Sequence, residues 1–126
     1  MPDAATTGVV SAVAADAALA YLTEMSAELR GAAILDPEGS VLAATGDAER
    51  WGEDSLALLR VADEAGGEPV EQLHIGAEQG EVFAVRQAGL TAVAVTERFV
   101  LSSLMFFDMR SVLRELLAPP QPDGEG

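Results

Sequence analysis

Residues 31–45 read Gly31-Ala-Ala-Ile-Leu-Asp36-Pro-Glu-Gly39-Ser-Val-Leu-Ala-Ala-Thr45. Two apolar runs, Ala32–Leu35 and Val41–Thr45, flank a four-residue turn. Pro at the second turn position and Gly at the fourth fit a type I turn, so the stretch reads as a β-hairpin. Both runs are apolar at consecutive positions rather than alternate ones. A strand of that kind is covered on both faces, so the hairpin belongs to a sheet with a layer on each side.

Working outward, the N-terminal side predicts a helix over 11–29. Its apolar residues Ala15, Leu19, Leu22 and Leu29 fall with their neighbours in an arc of about 160°, and Gly31 is its stop signal. After the hairpin a second helix is expected over 51–65, ending at Gly66-Gly67. Trp51, Leu58, Leu59, Val61, Ala62 and Ala65 share one broad face of it. Leu56 sits apart, among Arg60, Asp63 and Glu64, which suggests a second, smaller contact surface. Three strands follow, over 70–75, 81–86 and 90–96, joined by connections short enough for an antiparallel meander. A last helix spans 100–117 and stops at Pro119-Pro120. Its stripe includes Leu101, Met105, Phe106, Met109, Val112 and Leu113. Leu104 and Phe107 lie off the stripe and call for a second partner.

The fold class is therefore α+β: a five-stranded antiparallel sheet with helices on both faces, in the order α-β-β-α-β-β-β-α. Three helices leave the sheet edges uncovered, which invites pairing with another chain. The domain is expected over residues 9–117, with a flexible lead-in over 1–8 and a disordered Pro/Gly/acidic tail over 118–126.

Composition narrows the function. Among 126 residues there are 21 acidic and 7 basic ones, a formal net charge of −14. That charge repels phosphate backbones and anionic membrane surfaces, so neither nucleic acid nor a membrane is an expected partner. At 49% hydrophobic residues the chain is not a disordered acidic segment. Cysteine and lysine are absent and His74 is the single histidine. Disulfides, thiolate metal sites, Schiff-base chemistry, a P-loop and a multi-histidine metal site are thereby excluded. No catalytic, cofactor-binding or metal-ligating set is expected, and the chain reads as a non-enzyme. Every basic residue is Arg and Asn is absent, a bias that suggests a GC-rich bacterial genome. The acidic start Met1-Pro2-Asp3 lacks the basic region of a signal peptide, and no charge-free apolar stretch, Phe99–Phe107 included, approaches the length of a membrane span. The expected location is cytoplasmic.

The ordered set of segments over residues 19–117 resembles the Roadblock family of dynein light-chain-like domains. The Asp36-Pro-Glu-Gly39 hairpin carries the resemblance, with Gly80-Glu-Val-Phe-Ala-Val85, Leu90-Thr-Ala-Val-Ala-Val95 and the Thr96-Glu97-Arg98 lead into the last helix. The resemblance implies a small non-enzymatic dimer. Third strands pair across the dimer into one continuous sheet, and second helices pack side by side. It also implies that the composite surface binds small Ras-like GTPases, with itself or a paralogous Roadblock-like subunit as the dimer partner. Mapped onto this chain, the dimer elements are 70–75 and 51–65. The interface candidates on them are Leu56, Leu59, Arg60, Asp63, Val70, Gln72 and His74. The alternative is a small-molecule or signalling sensor domain of PAS, profilin or longin-like form, for which Ala32, Ala33, Ala43, Ala92 and Ala94 would leave room for a pocket.

The remaining chemistry-bearing residues have plainer readings. His74 in an edge strand would be a pH switch if it met a partner, and is otherwise a satisfied surface residue. Asp36 with Glu38, and Glu78 with Glu81, read as solvated turn carboxylates, because calcium needs six to eight oxygens. Arg50 and Arg98 flank helix starts and read as local ion pairs rather than arginine fingers. Arg110 and Arg114 answer the dipole of the last helix. Met105, Phe106 and Met109 read as core. Ser102, Ser103 and Asp108 have no histidine near them in sequence to make a triad.

Overall fold

Asp36 builds the turn on which the hairpin depends. Its Oδ1 accepts hydrogen bonds from the backbone N–H groups of Glu38 and Ser40, both at 2.9 Å. Gly39 closes the turn at φ +87°, where a side chain would be strained. The computed structural model describes residues 11–78 and 80–117. The lead-in expected over 1–8 and the tail expected over 118–126 lie outside these residues.

The elements are α1 (Ala12–Met25), β1 (Leu29–Leu35), β2 (Val41–Ala44), α2 (Ala48–Gly66), β3 (Gln72–Ala77), β4 (Gly80–Gln87), β5 (Leu90–Thr96) and α3 (Ser102–Leu117). All sheet pairings are antiparallel, and the strand order is β2-β1-β5-β4-β3. The class and element order read from the sequence are those of the structure.

Element ends differ where a side chain captures the backbone. Ser11 caps α1 by accepting the Ala14 N–H at 3.0 Å. The helix ends at Met25, because Ser26 is already extended and Leu29 has joined the ladder opposite Thr96. Asp47 caps α2, accepting from the N–H groups of Glu49 and Arg50, so the helix begins three residues before Trp51. Strand β3 begins at Gln72 rather than Val70. The Val70 N–H donates to Asp63 Oδ1 at 3.0 Å, and its carbonyl accepts from Arg86 at 3.1 Å. Val70 is thus tied to α2 and β4 instead of taking a place in the ladder.

Two helices cover one face of the sheet and one covers the other. α1 and α3 pack on Ala32, Ile34, Phe83, Val85, Ala92 and Ala94. Met105, Phe106 and Met109 are buried there as core. α2 alone meets the opposite face, where Leu59 joins Ala33, Leu35, Ala84 and Val93. The alanines on the central strands bring the helices close to the sheet. α2 leans toward β1 and β2, and its half of the layer stops short of β3. No helix among the described residues is long and apolar enough to cross a membrane.

Candidate interaction surface

Strand β3 is an edge strand whose described pairing is with β4 alone. Its two faces are built differently. On the α3 side His74 lies flat on Phe83, ring centroids 4.4 Å apart and planes 7° apart. Phe83 in turn meets Phe106 edge-on at 5.2 Å. His74 Nε2 is 2.6 Å from Glu81 Oε1, and Glu81 Oε2 accepts the Phe99 N–H at 2.6 Å. Glu81 is therefore not the solvated turn carboxylate expected from its sequence position. It bridges the edge strand to the β5–α3 loop, and the His74 hydrogen bond holds its carboxyl below the usual range despite the opposing cost of burial. Gln72 accepts a hydrogen bond from Arg110 of α3.

On the α2 side the ladder sets Gly31, Val95, Val82 and Ile75 in one row across the sheet. Trp51 closes over Gly31, where an added Cβ would lie 3.0 Å from the indole. The Trp51 indole N–H donates to the Thr45 carbonyl at 2.7 Å. From Trp51 toward β3 the row lies open. A groove of about 440 Å³ runs between α2 and the sheet, lined by Trp51, Ser55, Leu58, Val82, Val93 and Val95, with Asp47, Arg50 and Asp54 at its rim. Ser55 is buried, and its Oγ has no hydrogen-bond partner among the described residues. Ile75, paired with Val82 of the groove, is exposed, as is Val61, one helical turn beyond Leu58 on α2.

The sequence candidates fall in different places. Leu59 is buried in the chain's own core, beside Ala33, Leu35, Ala84 and Val93. Leu56 is exposed but rests against Gly39 of the β1–β2 turn, on the side of α2 away from β3. Arg60 is exposed on α2. Asp63 is an internal tie: Arg86 grips it with two contacts, at 3.0 and 3.1 Å. Gln72 and His74 share the β3 edge with Ile75. Of the broad apolar face expected for α2, Leu58 lines the groove beside Val82 and Val61, one turn on, is exposed. Arg50 pairs with Asp54 at 3.6 Å, and Arg98 stacks on Phe99.

The Arg86 hydrogen bonds, followed by the Val70 N–H, hold the Asp63 carboxyl below the usual aspartate range. A lowered folded-state pKa gives stability that is present above the unfolded value and lost as pH falls through the folded one. Asp63→Asn is therefore expected to destabilise the chain at pH 7, with the gap to wild type closing below about pH 4. Urea unfolding of both proteins at pH 7 and pH 3 checks this; an equal gap at both values would overturn it.

No family model matches this chain, and no curated protein matches it in sequence. Solved structures do match. The Roadblock/LC7 domain from Streptomyces avermitilis superposes with a TM-score of 0.69 at 16% identity, over 79% of this chain and 92% of that one. This is the Roadblock fold. Myxococcus xanthus MglB gives a TM-score of 0.68 at 10% identity, over 88% of this chain and 95% of its own. The fold is shared with profilins: that of Schizosaccharomyces pombe gives 0.61 at 12% identity, over 82% and 96%. In this Roadblock fold the open β3 edge and the groove beside α2 adjoin each other on one side of the sheet.

Proposed function

We propose that this chain is a non-enzymatic, cytoplasmic adaptor that works as a two-fold homodimer and binds a small Ras-like GTPase, modulating its nucleotide cycle or localisation. One observation carries the dimer: the apolar row ending at Ile75 lies open between α2 and a strand edge that is unpaired among the described residues. Such an edge is a template for another strand. A second copy turned about a two-fold axis beside β3 pairs its own β3 there and lays its α2 along Val61, Leu58 and Val82. One patch thus serves both protomers. The Roadblock fold supports GTPase binding as the use of the composite surface. The charge of −14 per chain favours a partner with a basic patch.

Light scattering tests the seam. The wild type is expected at twice the 13.1 kDa chain mass. Val61→Arg sets a charge into the apolar seam and is expected to weaken the dimer at least about a hundredfold. Leu56→Arg, on the far side of α2, is expected to leave it intact. Monomeric wild type at micromolar concentration, or a dimer indifferent to Val61→Arg, overturns the seam. For the partner, the immobilised chain is offered a Ras-like GTPase of the same genome loaded with GDP or a GTP analogue. Retention of one form supports the reading; no retention and an unchanged hydrolysis rate count against it.

The groove itself favours a second reading, a small-molecule or signalling sensor domain of PAS, profilin or longin-like form. Its volume suits a small ligand, and Ser55 Oγ, which lines it, has no hydrogen-bond partner among the described residues. That reading expects a single-chain mass and a melting temperature that rises with an apolar ligand carrying one hydrogen-bonding group.

A further inference from the structure

The surface opposite the seam carries apolar side chains that neither the core nor the β3 edge uses. Phe99, Leu101, Leu104 and Phe107 are 82%, 67%, 53% and 57% exposed. Leu104 and Phe107 form a ridge on the outward side of α3, one turn apart. Phe99 stands just before the helix in the left-handed region, at φ +64°, a costly conformation for a bulky residue. Two contacts hold it there: the Glu81 carboxylate on its N–H, and the Arg98 guanidinium 4.6 Å above its ring. An aromatic ring held outward in this way has the form of a binding anchor.

The same layer contains a hole. Between α1 and α3 lies a groove of about 730 Å³, floored by Ala14, Ala17 and Ala18 and walled by Tyr21, Ser111 and Glu115. It lies along the C-terminal half of α3, whereas Phe99 precedes the N-terminal end.

We propose that a second copy of this chain docks on the α1–α3 surface, through a two-fold axis crossing the ridge between Leu104 and Phe107. The axis sets Leu104 of each copy against Phe107 of the other. Because the two α3 helices then run antiparallel, Phe99 of each copy lies over the other's groove, against Tyr21 and the alanine floor. The charges at the two ends have opposite order: Glu97-Arg98 precedes α3 and Arg114-Glu115 lies near its end. The same axis brings Arg98 toward Glu115 and Glu97 toward Arg114, twice over. The area suffices for a weak specific contact. At about 200 Å² for each fully exposed side chain, the four residues leave roughly 500 Å² bare per copy, or roughly 1,000 Å² across the pair, the lower bound for a specific interface. This interface is separate from the β3 seam and stands without it. With both present, the chain assembles beyond the dimer, into a closed tetramer or an open chain of dimers.

Sedimentation velocity on the full chain over 5–500 µM, in roughly 0.15 M salt, tests it. Wild type is expected to pass twice the 13.1 kDa chain mass as concentration rises. Phe99→Asp, at an exposed position where Asp tolerates the backbone better than Phe, is expected to weaken this step at least about thirtyfold. Arg98→Glu is expected to weaken it too, and adding Glu115→Arg to restore it. Val61→Arg combined with Phe99→Asp is expected to yield the single chain. If the seam reading is wrong, wild type stops at the two-chain mass and Phe99→Asp alone gives the monomer, so the two failures are distinct. An association curve unmoved by Phe99→Asp overturns the proposal, as does a charge swap that restores nothing.

Discussion

Replacing Phe83 by alanine is expected to lower the unfolding free energy by about 3–5 kcal/mol. Against a total of about 5–15 kcal/mol for a domain of this kind, that is a third or more of the stability. Phe83 has no exposed surface. His74 stacks on its ring at 4.4 Å and Phe106 meets it at a near-right angle at 5.2 Å, with His74 and Phe106 themselves 6.3 Å apart, so one side chain supports both the edge strand and the helix above it. Truncation opens a cavity bounded by the sheet on one side and α3 on another. Neither boundary closes easily, because β4 is fixed by ladders to β3 and β5. Partial unwrapping of β3 should accompany the loss, seen as faster amide exchange at Leu73 and Ile75. His74→Ala removes only the half-exposed partner of the stack and should cost far less. Urea unfolding at pH 7 decides; equal losses for the two variants would mean that Phe83 is not the support.

The edge strand shows where sequence reasoning reached its limit. The hairpin at 31–45 was legible because Asp36, Pro37 and Gly39 encode their turn locally, and the doubly apolar strands encode their two covering layers. The start of β3 was not legible. Val70 is a good strand residue, but Asp63 and Arg86, distant in sequence, take its polar groups. A helical wheel also separates the buried side of α2 from the exposed one without saying which flank meets the strand edge. Leu56 stands out on the wheel yet faces the β1–β2 turn. Leu58 and Val61 look like core, yet Leu58 lines the open groove and Val61 is exposed, because α2 covers only part of its face. Glu81 was misplaced for a related reason: its partners His74 and Phe99 are brought to it only by the register of β3 on β4 and the path of the β5–α3 loop. In contrast, Leu104 and Phe107 were correctly found off the buried stripe of α3, since that judgement needs only the helix itself.

Gly80→Ala is expected to cost at least about 2 kcal/mol, an unusual penalty for one added methyl group. An ideal Cβ at Gly80 would lie 2.3 Å from the Thr96 carbonyl oxygen, and the obstacle is backbone rather than a flexible side chain. Thr96 cannot give way cheaply: it is buried and is paired with Leu29 on one side and Glu81 on the other. The strain must move the start of β4, and Glu81 is the next residue. Its two hydrogen bonds, to His74 and to the Phe99 N–H, should lengthen together. Gly80→Ala should therefore show a lower melting temperature and faster exchange of the Phe99 amide proton. Gly76→Ala is the matched control, since a Cβ there meets nothing within 4 Å. It sits in the edge strand with space around it. Its effect is expected to be near zero or stabilising by up to about 1 kcal/mol, through the lost freedom of the unfolded chain. Equal penalties at the two positions would refute the steric account. A large penalty at Gly80 with unchanged exchange at Phe99 would show that Glu81 holds the loop independently of where β4 begins.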